Sequence, residues 1–222
     1  MRFQHVCAAA LAALSISAGA RAATYAYLPV GTNYTLTPGQ TQTVSLYVTE
    51  TTDGIESSLI SDELGLFSVG LQIEQVSSTA STPTKILLTG DVAIDASAGG
   101  FDAPPTGFEV VLTGTTVNID AFADAGDSTG ALGSVAGNVR TIKLADVTFT
   151  AGTVGTTVVQ LIDPPSPSDD TLTFTLDNPT LLDSFFAPSG SAPTITFDVV
   201  IPEPATLGML ASVAGLLLRR RR

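Results

Sequence analysis

The sequence predicts an all-β protein, an antiparallel β-sandwich of jelly-roll type. Three observations point there. Between Thr24 and Val200 short alternating or apolar runs recur, punctuated by Gly, Pro, Asp and Ser. No helical periodicity, internal repeat or long linker interrupts them. The composition is poor in charge (14%) and rich in Thr, Ser, Gly, Ala, Val and Asp, a mix that fits pleated surfaces and tight turns. Ten or so short strands with turn signals between them, and no helical crossover, indicate an antiparallel sandwich or jelly roll.

In chain order the expected strands are Thr24–Pro29, Thr41–Glu50, Phe67–Gln75, Lys85–Thr89 and Phe108–Thr113. They continue with Thr116–Ala123, Thr141–Thr150, Thr156–Ile162, Thr171–Leu176 and Thr194–Val200. In Phe67 to Glu74 the odd positions are apolar and the even ones small or polar. That period of two predicts one buried and one solvated face. Ile142 to Phe149 alternates similarly but slips at Ala145, where a bulge is expected. Asp163-Pro164-Pro165-Ser166-Pro167 reads as a stiff extended connector, and Phe185-Phe186 as part of the core.

The flanks obey different rules. Residues 1–22 have the secretory pattern: Arg2, an apolar run from Val6 to Ile16, then Ala20-Arg21-Ala22, small residues at the positions a signal peptidase requires. Cleavage is expected after Ala22, with Ala20 or Ala23 as neighbouring options. Residues 23–200 then form the ectodomain. At the other end stand Ile201-Pro202-Glu203-Pro204, an uncharged run from Ala205 to Leu218, and Arg219, Arg220, Arg221 and Arg222. Two prolines cannot enter a helix interior or a central strand, so 201–204 separates the domain from the C-terminal run. As a helix the run 205–218 is about 21 Å long, short for a hydrocarbon core of about 30 Å. Arginine side chains can snorkel and are retained on the cytoplasmic side, which extends the reach and orients the domain outward. A short C-terminal transmembrane helix is therefore expected.

This order of motif, apolar helix and basic cluster resembles the PEP-CTERM sorting signal, over residues 201–222 only. Ile201 stands where Val is commoner. The resemblance implies recognition by an exosortase, a membrane cysteine transpeptidase expected to cut near Pro202-Glu203-Pro204. It also implies passage through the inner membrane and an association with extracellular polysaccharide, envelope matrix or biofilm.

A second resemblance runs from about residue 36 to 162. It rests on Gly39-Gln40-Thr41-Gln42-Thr43-Val44-Ser45-Leu46-Tyr47-Val48, then Leu66 to Ile73, then Ile142 to Gly152. The order resembles the cohesin and carbohydrate-binding sandwich group and implies a cohesin-like sandwich. Glu74-Gln75 stands where cohesins usually carry Tyr-Asp, so only the fold is carried over.

Charge narrows the partners. Of nine Lys and Arg, only Lys85, Arg140 and Lys143 lie outside the two flanks, against twenty acids between Glu50 and Asp198. A domain with a formal charge near −17 has no electrostatic footing on nucleic acid. The single cysteine, Cys7, and the single histidine, His5, both fall in the leader, and there is no tryptophan. Removal of the leader leaves no disulfide, no Ser-His-Asp or Cys-His nucleophile, and no His- or Cys-ligated zinc or copper. No phosphate-binding glycine loop comes after a strand.

Three chemistries remain. A glycosidase would need two facing carboxylates about 5–9.5 Å apart, and nothing singles out a pair. Calcium has a candidate loop in Asp120, Asp124 and Asp127, with Ser128 and Gly130, though the spacing is not that of an EF-hand and an acidic loop with Asx turns explains it as well. Sugar stacking, without Trp, falls to Tyr25, Tyr27, Tyr34 and Tyr47. The leading expectation is a noncatalytic surface or matrix protein without an obligatory cofactor. The alternatives are a specific carbohydrate- or protein-binding module, marked by a flat or concave face with exposed tyrosines, and a carboxylate-dependent hydrolase.

Overall fold

Alternation of inward apolar and outward polar side chains builds two stacked sheets. The computed structural model describes residues 23–52, 58–60, 65–86, 92–93, 101, 108–113, 116–122, 130–165, 172–173, 180–186 and 191–202. Its strands are β1 (Thr24–Pro29), β2 (Asn33–Leu36), β3 (Thr41–Thr51), β4 (Leu66–Ser78), β5 (Lys85–Ile86), β6 (Val92–Ala93) and β7 (Phe108–Thr113). The rest are β8 (Thr116–Phe122), β9 (Ser134–Ala136), β10 (Val139–Thr150), β11 (Gly155–Ile162), β12 (Leu172–Thr173) and β13 (Thr194–Val199). The described helical structure is one 3-10 turn, Asp183–Phe185.

The first sheet has the order β1-β3-β10, and the outer edge of β10 is shared along its length by β9, β6 and β5. The second has the order β2-β13-β11-β4-β8-β7, with β12 beside the start of β4. Their inner faces form one core. Val44, Leu46, Val48, Ile142, Val147 and Phe149 come from the first sheet, and Val69, Leu71, Ile73, Ile119, Leu161, Ile195 and Phe197 from the second. Phe149 and Phe197 meet across the gap with ring centroids 4.7 Å apart.

Most expected strands are present within a few residues of their expected bounds. At Ala145 the ladder with β3 shifts register, since Lys143 pairs with Tyr47 and Ala145 with Leu46. Leu144 is the extra residue, and both it and Ala145 are fully buried. Phe186 is buried against Tyr27, ring on ring at 4.7 Å, and bridges the backbone of Tyr25 at the free edge of β1.

Several expectations need correction. The sandwich is not wholly antiparallel, because β2 runs parallel to β13. The strands β2, β6 and β9 have no counterpart among the expected ones: they are too short to show a period, and they exist because a longer neighbour supplies the ladder. The expected solvated face of Phe67–Glu74 is buried at Ser68 and Gly70, while Phe67 is only partly buried. β4 is a central strand, between β8 on one side and β11 and β12 on the other, which shields the backbone of these small residues from both edges. The later parts of Lys85–Thr89 and Thr171–Leu176 lie outside the described residues.

Candidate functional site

The strict alternation of β3 places Val44, Leu46, Val48 and then Glu50 on the inner face. Glu50 is 2% exposed. The same phase in β10 brings Arg140 opposite Glu50, and β1 brings Tyr25 to its other side. A hydroxyl, a carboxylate and a guanidinium thus line up across three strands inside the sandwich.

Both carboxylate oxygens of Glu50 are engaged. Oε1 accepts from the Tyr25 hydroxyl (2.5 Å), the Leu59 backbone N–H (2.8 Å) and that of Ile60 (3.4 Å). Oε2 accepts from the Ser58 hydroxyl and faces Arg140 Nε at 3.7 Å. Arg140 Nη1 also donates to the Leu132 carbonyl (2.8 Å). Burial, reinforced by the hydrogen bond to Glu50 and the charge of that carboxylate, pushes the Tyr25 hydroxyl well above the usual tyrosine range, with Arg140 opposing. Buried and with its lone pairs occupied, Glu50 is built as a clamp that holds segment 58–60 and β10 to β1 and β3.

The outward side of the first sheet is chemically different. Its cross-strand rows are Thr24–Thr51, Thr49–Thr141, Tyr47–Lys143, Ser45–Asp146 and Thr43–Thr148, with Leu28 beside Tyr47 on β1. Rows of this kind repeat about every 7 Å along the strands, with about 4.8 Å between strands. The hydroxyls of Thr43 and Thr148 are 2.9 Å apart. Lys143 Nζ lies 2.9 Å from Asp146 Oδ2, and Ser45 donates to Asp146 Oδ1 at 2.5 Å. These two opposite charges compensate each other, and Lys85, opposite Thr150 at the edge, adds a further cation to this face. Tyr47 sits near its centre, partly exposed, and Leu28 is 49% exposed.

The tyrosines considered for sugar stacking separate into three groups. Tyr25 and Tyr27 are in the core, at 2% and 4% exposure, which removes them as ligand contacts. The Tyr27 hydroxyl donates to the Gly70 carbonyl (2.5 Å) and so ties the two sheets together. Tyr34 stacks on Phe197 at 5.6 Å, and burial raises its hydroxyl's pKa as well. Tyr47 alone of the four sits on an open face.

Of the predicted sorting residues, Pro202 is described and exposed. Ala20, Ala22, Glu203, Pro204 and Arg219 to Arg222 lie outside the described residues, as does the expected helix 205–218. Among the described residues no helix is long and apolar enough to cross a membrane. For calcium, the backbone of Asp120 lies in β8, opposite Gly70 and Glu109, while Asp124 and Asp127 are outside the described residues. Among the described residues no three acids, His or Cys gather as metal ligands.

No protein-family model matches the sequence, and no characterised protein matches it. Similar solved structures include the N-terminal domain of the Streptococcus gordonii adhesin Sgo0707, at 8% identity and a TM-score of 0.37 over 80% of this chain and 32% of that one. Another is BcpA, the major pilin subunit of Bacillus cereus, at 8% identity and a TM-score of 0.30 over 81% of this chain and 41% of that one. The chain thus spans about a third of the first and two fifths of the second.

Proposed function

We propose that the protein is a noncatalytic, exported surface protein whose sandwich is displayed outside the cell and whose first sheet binds neutral extracellular polysaccharide through its outer face. The observation that carries this reading is that face itself. It is an array of threonine hydroxyls around Tyr47 and Leu28, with Lys143 and Asp146 paired and Lys85 at its edge beside Thr150, in a domain that is otherwise strongly acidic. Hydroxyls at ladder spacing exchange hydrogen bonds with sugar hydroxyls, and an aromatic ring with an aliphatic neighbour offers a surface to the C–H side of a pyranose. A neutral polymer also escapes the repulsion that the domain's net negative charge imposes on an acidic one.

Export and retention rest on the two flanks. Signal peptidase would remove residues 1–22, and an exosortase-type enzyme would act at Pro202-Glu203-Pro204. The exposed exit of Val200 to Pro202 from the sandwich suits access by such an enzyme.

Affinity electrophoresis of residues 23–202 in gels containing a neutral glucan or an acidic polysaccharide tests the binding. Retardation by the neutral polymer, weakened several-fold by Tyr47→Ala and untouched by Thr196→Ala on the second sheet, is expected. Equal mobility of all three proteins in every gel would remove this reading. Intact-mass analysis of the protein from its native host tests the sorting: a product ending near Pro202–Pro204 is expected, and a mass retaining residues 205–222 would exclude processing.

A further inference from the structure

At the end of the sandwich where β13 finishes, four segments are tied together by hydrogen bonds. The Gly39 N–H donates to the Ala151 carbonyl (3.0 Å), and the Ala151 N–H to the Gln40 carbonyl (2.8 Å). The Thr153 N–H donates to the Thr82 carbonyl (2.9 Å), and the Val200 N–H to the Leu36 carbonyl (2.8 Å). The segments 37–40, 79–84, 151–154 and 200–202 contain no charged residue, although the domain is strongly acidic. They present apolar side chains instead: Val154 is 48% exposed, Val200 43% and Ile201 71%. Gly155 pairs with Val199, so Val154 and Val200 come out side by side.

We infer that this end of the sandwich seats on the lipid bilayer surface, with Val154, Val200 and Ile201 entering the headgroup layer, while the C-terminal run is still inserted. The inference rests on reading residues 205–218 as membrane-embedded. The length of the link carries it further. Val200 is held by Leu36, so four residues remain before Ala205, and these span at most about 14 Å. The domain cannot stand away from the bilayer, and the surface held against it is this uncharged one.

Electrostatics favour the same orientation. β3 runs from this end to the opposite one over eleven residues, about 35 Å, several Debye lengths at physiological salt. At the opposite end the strand ends include Thr51, Leu66, Phe122 and Leu172, and in the sequence the connections from β3 to β4, β8 to β9 and β11 to β12 carry Asp53, Glu56, Asp62, Glu63, Asp124, Asp127, Asp163, Asp169 and Asp170 without any Lys or Arg. Just above the uncharged turns stand Asp198, which accepts from the Thr156 hydroxyl (2.7 Å) on the outward side of the second sheet, and Lys85, on the outward side of the first.

Single cysteines introduced by Val154→Cys, Ile201→Cys, Val135→Cys and Gly208→Cys test this in the chain 23–222, whose native sequence has no other thiol. Each is labelled with a fluorophore and reconstituted into vesicles of phosphatidylcholine and phosphatidylglycerol containing brominated lipid. Val135, 59% exposed on β9 at the far end, is the control. Quenching at 154 and 201 several-fold above that at 135, with strong quenching at 208, is expected. Quenching at 208 but not at 154 or 201 would overturn the seating and leave the tail reading intact. No quenching at 208 would overturn both.

Discussion

Glu50 and Arg140 meet on inward positions of adjacent strands, where desolvating two charges costs several kcal/mol per ion and only mutual attraction and hydrogen bonds offset it. Such a pair is expensive to break and cheap to replace. Glu50→Ala should destabilise the fold by about 3–5 kcal/mol, because it strands the guanidinium in the core. The double variant Glu50→Leu with Arg140→Met should be about as stable as the wild type, as urea melts at neutral pH would show. Tyr25 supplies a second test. Its folded pKa lies above the unfolded value of about 10, so above that pH the unfolded chain loses the proton first and stability falls as pH rises. Alkaline urea melts should show this fall, reduced in Tyr25→Phe but not abolished, because Tyr34 is shifted in the same direction.

The strands obey their own sequence where they are long. β1 and β7 occupy their expected bounds, and the slip in the alternation of β10 at Ala145 is a bulge because both Leu144 and Ala145 must be buried. Glu50 was legible in the same way: Val44, Leu46, Val48 and Glu50 share one phase, as do Arg140 and Ile142, and a strand continued one step further puts the charges inside. β2 and β9 were not legible, because three or four residues without periodicity become a strand only when a neighbour offers an edge. The hairpin from β10 to β11 makes the element-scale prediction. A Cβ on Gly152 would lie 1.8 Å from the Thr82 carbonyl oxygen and 2.6 Å from that of Pro83, both backbone. Gly152→Ala should therefore cost about 1–3 kcal/mol or more by displacing the packed segment 79–84. Gly39→Ala meets no atom within 4 Å and bears only its positive φ of 79°, for about 1 kcal/mol. Thermal melts of the two variants would rank them.

For the whole molecule the decisive strand is the last. β13 lies between β2 and β11 and buries Ile195, Phe197 and Val199. A chain ending at Pro202 should unfold in one cooperative transition. A chain ending at Pro193 should lose that cooperativity and bind a hydrophobic dye, since the core would open along the second sheet. Circular dichroism melts with dye fluorescence would separate the two.

The sequence by itself determined the strand-rich class, the absence of histidine, cysteine and tryptophan chemistry from residues 23–222, and the acidity of the domain, because these come from composition and a local period of two. It also carried every residue of the open threonine face and of the buried clamp. Only the tertiary structure decided which tyrosines face solvent and that Glu50, Arg140 and Tyr25 share one buried row. It also decided that three uncharged turns gather with residues 200–202 where the chain leaves the sandwich. Those facts depend on register between strands far apart in the chain, and register is set by packing two faces together, not by any local run of residues.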